Sequence, residues 1–369
     1  MSKSSMCPLP WISLSVGAKD APRLCCHQNG LFPQSENLLK LDHAKAAREL
    51  MLAGKMPAEC GHCTSLEDAS CRSPRQDYLE RFSFEEKSAP VIKYLDLTVD
   101  NDCNLECVMC SPLYSRKLHS FYEKELKITA DKNWVTSLTT EDIAGLIPTL
   151  EQVTLTGGEP FLSKKSVDII RQLATSGRAH EIVLRVFTNL SHLPVDLLKD
   201  LNAFKKLELI LSIDSVEENY ELMRFPAKWN NLLQNIEKIK QQKFHDLDLH
   251  QHTVLTATNW TKTGEIIRFF ARTFPMSFNI IPIFVEIDTP GILHPRVLPE
   301  GAWVEGKTEA LKALDGLVPR RDTDREQIEN FKNLIVKMEQ QNHRDRYMDY
   351  QIYLQKVKAH RKERQPHGA

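Results

Sequence analysis

The sequence predicts an α/β fold: a partial (β/α)6 barrel or an open, curved parallel sheet, with a small Cys-rich N-terminal module and a helical C-terminal extension. Three observations carry this reading. From Pro90 onward six strand-like runs alternate with six helical ones, the pattern of parallel strands joined by right-handed crossovers. All nine cysteines lie within the first 110 residues. After about residue 300 the chain becomes charged and helix-patterned.

The strand candidates are Ile92–Val99, Gln152–Thr156, Ile182–Thr188, Leu207–Ile213, Leu249–Thr256 and Phe278–Phe284. Helical periodicity marks Leu113–Leu126, Thr140–Leu150, Lys164–Ser176, Pro194–Leu201, Trp229–Gln242 and Thr263–Phe274. Six such units fall short of the eight that close a full barrel. In the N-terminal region Trp11–Val16 alternates, Gly17–Pro22 turns and Arg23–Cys26 returns as a hairpin partner. Leu38–Gly54 reads as a helix with Gly54 as its stop. Near the other end Ile328, Phe331, Leu334, Ile335 and Met338 form one helix stripe, and Tyr347–Val357 a second amphipathic segment. The expected organisation is an auxiliary module over 1–88, a core over 89–290 and an extension over 291–369.

Composition narrows the function. Apolar residues make up 41 % of the chain, enough for a packed core, and the net charge is −1. Bulk electrostatics therefore give no basis for nucleic acid or an anionic membrane as partner. No run approaches the roughly 20 apolar residues that span a bilayer. Pro8–Ala18 is interrupted by prolines and closed by Lys19 and Asp20, so it is not read as a signal peptide. The cysteines stand at 7, 25, 26, 60, 63, 71, 103, 107 and 110. An odd number, clustered and leaving most of the chain bare, argues for metal binding in a cytoplasmic protein rather than a disulfide framework.

Cys103-Asn-Leu-Glu-Cys107-Val-Met-Cys110 follows the first strand of the βα series, at a carboxyl end where open α/β sheets bind ligands. Three thiolates on one loop are one short of the four that usually hold a [4Fe–4S] cluster, which leaves one iron open to a small molecule. A structural zinc site would want a fourth ligand nearby, and none follows Cys110. Thr156-Gly157-Gly158-Glu159-Pro160 follows the second strand. The glycine pair is expected to let backbone approach a bound group closely.

CxxxCxxC after one strand and GGEP after the next resemble the radical S-adenosylmethionine superfamily. The resemblance implies a catalytic [4Fe–4S] cluster on Cys103, Cys107 and Cys110, with S-adenosyl-L-methionine held against Gly157, Gly158, Glu159 and Pro160. Thr188-Asn189 and Ser212-Ile213-Asp214 at later strand ends match positions that contact this cofactor in the family. Arg224 matches an arginine that reaches its carboxylate.

Cys7-Pro-Leu-Pro-Trp11, Cys25-Cys26 and Cys60-x-x-Cys63 resemble a SPASM or twitch module, here placed before the core instead of after it. The turn before the paired cysteines reads Asp20-Ala21-Pro22 where the family commonly has Asp-Gly. The module implies a second, auxiliary [4Fe–4S] cluster on Cys7, Cys25, Cys60 and Cys63. A zinc-ribbon-like site on the same four is the competing account. Adjacent residues on a strand face opposite ways, so only one of Cys25 and Cys26 serves. Cys71 is read as a buried free thiol, and His62 as pointing outward.

The resemblance further implies reductive cleavage of S-adenosylmethionine to a 5′-deoxyadenosyl radical, hydrogen abstraction from a substrate, and an electron donor such as flavodoxin or ferredoxin. A peptide or protein substrate is the favoured expectation. A sugar- or aminocyclitol-modifying dehydrogenase is one alternative, and a non-catalytic iron–sulfur redox sensor the other.

Overall fold

The structure is a computed structural model and describes residues 5–28, 38–68, 71–86, 88–129, 133–193, 195–274, 281–283, 291–319, 322–341 and 343–364. Its strands are β1 (Ser13–Val16), β2 (Pro22–Arg23), β3 (Tyr94–Thr98), β4 (Gln152–Thr156), β5 (Val183–Thr188), β6 (Lys206–Ser212), β7 (Leu247–Val254) and β8 (Ile281–Ile283). They form one sheet in the order β2-β1-β3-β4-β5-β6-β7-β8. Every pairing is parallel except that of the short β2 with β1. The six expected strands form as a partial barrel. Of the sixth, Phe278–Phe284, only Ile281–Ile283 lies within the described residues.

The difference lies at the N-terminus. β1 pairs in register with β3, Ser13 opposite Tyr94 and Val16 opposite Leu97, so the first hairpin extends the core sheet. The boundary expected at 88/89 is thus crossed by backbone hydrogen bonds. Trp11 and Ile12 do not begin the strand. They close a helical turn, Leu9–Ile12, from which the strand starts at Ser13. Cys25 and Cys26 lie in a turn after β2 rather than on a strand.

Alternation along the strands sorts the two faces of the sheet. Leu14, Leu95, Leu97, Val153, Leu155, Leu184, Val186, Leu209 and Leu211 are fully buried in one core with Ile169, Ile170 and Leu173 of the helix Lys164–Ala174. The opposite, inner face is polar. Ser15, Asp96, Thr154, Arg185, Glu208 and Asp248 fall in one register row across six strands. The N-terminal region packs on this inner side, where Cys7, Leu9, Trp11, Ile12, Met51, Tyr78 and Phe82 cluster with Tyr94 of β3. Its helices are Lys45–Leu52, Gly61–Asp68 and Pro74–Arg81, of which only the first was legible as periodicity.

Beyond β8, helices Glu300–Asp315, Asp322–Glu339 and Tyr347–Arg364 form the C-terminal region. The expected stripe of Ile328, Phe331, Leu334, Ile335 and Met338 is buried. Trp303 stacks on Trp260 at 4.4 Å and docks this region on the core. No helix among the described residues is long and apolar enough to cross a membrane.

If β1 belongs to the core, shortening its fully buried Leu14 must be felt by the whole sheet. Leu14→Ala is expected to cost about 2–5 kcal/mol. Urea unfolding monitored by hydrogen exchange should show β3–β6 amides losing protection in the same shifted transition. A separate early transition confined to residues 1–88 would restore the boundary there.

Candidate metal and cofactor centre

The loop bearing Cys103, Cys107 and Cys110 leaves β3 and is clamped on the GGEP loop that leaves β4. Gly158 N–H donates to Asp100 O and Glu159 N–H to Asp102 O, each at 2.8 Å. Gly157 has φ +133°, and a Cβ there would lie 2.7 Å from Asp100 O. A Cβ on Gly158 would enter the Asp102 carbonyl. Protein backbone therefore requires glycine at both positions: on the side where a Cβ would stand, residues 100–102 make the close approach. Pro160 follows in a buried turn.

Glu159 ties this loop to the end of β5. Its carboxylate accepts from Thr188 Oγ1 at 2.6 Å, Asn189 N at 2.7 Å and Phe161 N at 3.3 Å. Burial nevertheless pushes its pKa up to about 7. Asn189 then extends Nδ2 toward Asn104 Oδ1 at 3.1 Å and Cys103 Sγ at 4.0 Å.

Opposite stands Arg224, at the end of the helix Glu217–Met223, a short helix without an advance signal in the periodicity. Its Nη1 lies 3.8 Å from Cys107 Sγ, and its Nε pairs with Asp214 at 2.5 Å. Asp214 is fully buried, and its other oxygen accepts from Val254 N at 2.8 Å. Its carboxylate thus holds Arg224 in place from just past β6. Ser212 ends β6, half-buried.

The three thiols gather around this cation. Burial pushes Cys103 up to about 12 and Cys110 well above its ordinary value, and the neighbouring thiols add to both. Leu105 N–H points at Cys103 Sγ at 3.5 Å. Three soft sulfur donors that repel one another when ionised, beside a fixed guanidinium, suit a group that brings several metal cations. A [4Fe–4S] cluster fits this donor set.

The second set assembles from three separate segments. Burial pushes Cys7 and Cys60 up to about 12, with Cys63 raising both, and raises Cys25 well above its ordinary value, with Cys26, Cys7 and Cys63 contributing. Arg75 stands beside Cys7 and Cys63, held by Glu67 at 2.8 Å in a pair whose side chains are under a tenth exposed. Cys26 faces elsewhere: its neighbours are Asp96, Arg23, Arg185 and Tyr78 of the inner side. Cys71 is buried apart from the set, with Leu66 and Leu334.

Zinc at 2.3 Å from each sulfur needs its thiolates about 3.8 Å apart, whereas a cubane holds them at separate corners of a larger body. Among the described residues only Glu208, Asp248 and His250 bring three such donor atoms within 4.8 Å of one another. The Glu208 group itself is an ion-pair ladder, with Arg185 on Glu208 at 2.6 Å and Lys206 on Asp248 at 2.6 Å.

Between the two sets the inner face carries groups that the motifs did not mark. His27 stacks on His62 at 5.3 Å, so His62 is half-buried against a partner instead of pointing outward. His252 of β7 meets Phe187 of β5 at 5.4 Å. Burial lowers His27 and His252 to about 4 each, leaving both imidazoles neutral at neutral pH. Only polar alternation along β7 could have pointed to His252.

Residues 98–270 match the family model described as the Radical SAM superfamily. Two curated GTP 3',8-cyclases are similar in sequence. The one from Synechococcus elongatus is 25 % identical over 219 residues, covering 58 % of this chain and 62 % of its own length. The one from Desulforamulus reducens is 24 % identical over 233 residues, covering 62 % and 65 %. The chain thus spans less than two thirds of these relatives. Among solved structures, anSMEcpe with bound AdoMet matches at TM-score 0.42 and 16 % identity, over 59 % of this chain and 58 % of that one. Streptococcus suis SuiB bound to precursor peptide SuiA matches at 0.37 and 12 %, over 66 % and 45 %.

The raised Glu159 makes a signed prediction for the cluster-free protein. Between its ordinary 4.5 and about 7 the folded chain keeps a proton that the unfolded chain has released. Stability therefore falls as pH rises through that window, by up to about 3 kcal/mol from this group. Glu159→Gln should be less stable at every pH, because its amide would face Asn189 N–H, yet lose this part of the slope. Urea midpoints of both proteins across the window check it. Parallel pH profiles would refute the assignment.

Proposed function

We propose that this chain, whose residues 98–270 match the Radical SAM superfamily model, is an enzyme that uses a [4Fe–4S] cluster on Cys103, Cys107 and Cys110 with S-adenosylmethionine to abstract hydrogen from a peptide or protein substrate. The observation that carries this is the convergence of three thiols on a loop bonded to GGEP, beside the fixed Arg224 cation. When bound, the two groups supply one-electron reductive cleavage of a carbon–sulfur bond and hydrogen abstraction.

The chain's own residues would do the rest. Arg224 offsets negative charge at Cys107, Glu159 and Asn189 hold the strand-end loops in place, and the carboxyl end of the sheet keeps water from the reacting atoms. Cys7, Cys25, Cys60 and Cys63 would hold a second [4Fe–4S] cluster, and the mutual effect of these buried thiols supports their forming one site. With all four ligands from protein, that cluster is assigned to electron transfer from the substrate rather than to substrate ligation. A flavodoxin- or ferredoxin-type protein would supply the first electron.

The wall of the inner face bears on the substrate. GTP, the substrate in the name of the two relatives, carries a triphosphate that needs uncompensated positive charge. Here Arg185 is paired with Glu208, Arg81 lies 3.7 Å from the same carboxylate, and Asp96 adds a further acid. That balance supports a group of low net charge, as on a peptide.

Anaerobic reconstitution should give roughly eight irons per chain. Four irons with one zinc would remove the auxiliary-cluster assignment alone. Replacing Cys103, Cys107 and Cys110 together by Ala should abolish 5′-deoxyadenosine formation under dithionite and leave the N-terminal chromophore visible. A triple variant that still cleaved S-adenosylmethionine reductively would overturn the proposal.

A further inference from the structure

The helix Tyr347–Arg364 lies against the outside of the loop that carries Cys107. Tyr353 Oη donates to Val108 O at 2.7 Å. Arg361 donates from its two terminal nitrogens to Leu222 O and Glu106 O, and its guanidinium lies 5.1 Å over the Phe225 ring. Arg364 pairs with the buried Glu106 carboxylate at 2.7 Å. From the other side, Glu106 N–H donates to Phe225 O at 2.6 Å and Val108 N–H to Met223 O at 2.8 Å. Residues 106–108 are therefore gripped between the end of one helix and the flank of another.

Arg361 stands out among these contacts. Its side chain is buried, and both hydrogen bonds go to neutral carbonyls, so neither removes its charge. The buried acid nearest the loop, Glu106, favours the Arg361 charge but makes its direct ion pair with Arg364. Cys107 feels Arg361 as a second cation after Arg224, and Arg361 in turn is favoured by Cys107. Arg224 differs in being tied to Asp214. The C-terminal helix thus delivers a second buried cation to the Cys107 loop, bonded there to carbonyls.

We propose that Arg361 is a positioning and potential-setting residue of the catalytic centre. It fixes the Cys107 loop through two carbonyls and holds a buried positive charge that makes the cluster there easier to reduce. This rests on the assignment of Cys107 as a cluster ligand. The step concerned is uptake of one electron by the cluster from an external reductant, which gains a negative charge close to the guanidinium.

The test uses full-length protein, anaerobically reconstituted, with neither substrate nor S-adenosylmethionine, and an EPR-monitored redox titration against reduced viologens. Arg361→Gln is expected to lower the reduced-to-oxidised ratio of the core cluster about tenfold at a fixed potential, a shift of about 59 mV for a one-electron couple. Arg361→Lys, which keeps the charge and loses the fork, should stay nearer the wild type. A fully loaded Arg361→Gln protein with the wild-type potential overturns the proposal. If Arg361→Gln loads too little iron to titrate, Arg361→Lys decides. Loading with a near-wild-type potential supports the charge, and failure to load reduces Arg361 to a structural clamp and overturns it. Cys107→Ala is the control for the underlying reading: a core signal that survives there faults the ligand assignment, not the role of Arg361.

Discussion

A buried thiolate is costly unless a positive charge accompanies it out of water, and that constraint organises this molecule. Each cysteine set has its own guanidinium, and each guanidinium is aimed by a buried carboxylate: Arg224 by Asp214, Arg75 by Glu67. The carboxylate does not cancel the arginine completely, because it pairs through one edge of the fork and leaves donors facing sulfur. The elements that carry these residues follow from the requirement. Asp214 stands just past β6, Arg224 ends the helix after it, and Arg75 opens a helix capped by Ser73 and Gln76.

The sheet serves the same constraint through its two faces. Apolar residues at every second position dock under the helices, while the alternate positions supply serine, threonine, acid, arginine and histidine toward the interior. An interior of that kind cannot collapse on itself as a dry core, since its ionised groups need partners. The N-terminal region provides them. It brings Tyr78 and Arg81 to the inner side and adds β1 to the sheet, so what looks in sequence like a prefix is a wall of the barrel.

Much of this was legible in advance, and what was not has a common cause. Thiols at close spacing, two glycines after a strand and period-two apolar runs are local patterns, and they located the core sheet, the CxxxCxxC loop and GGEP. The glycines illustrate a partial reading: their need for close approach was visible, but not that the approaching group is the backbone of residues 100–102. Arg75, His252 and Arg361 carry no local mark. Arg361 and Glu106 are 255 residues apart, and no periodicity on either segment announces the other. Asp214 was found by its place at a strand end, yet its commitment to Arg224 depends on a helix too short to show a stripe.

Residues 106–108 and 222 are synthesised long before Arg361, and during translation the domain segments that emerge first begin to fold first. Seven of the sheet's eight strands, the GGEP clamp and the Arg224–Asp214 pair are all complete in chain order by the end of β7 at Val254. The grip on Glu106 and Val108 is not. Until the last long helix is made, the Cys107 loop is fastened on one side only and remains open on the other. The order of residues along the chain therefore puts the last contact on the Cys107 loop after every strand of the sheet has been made.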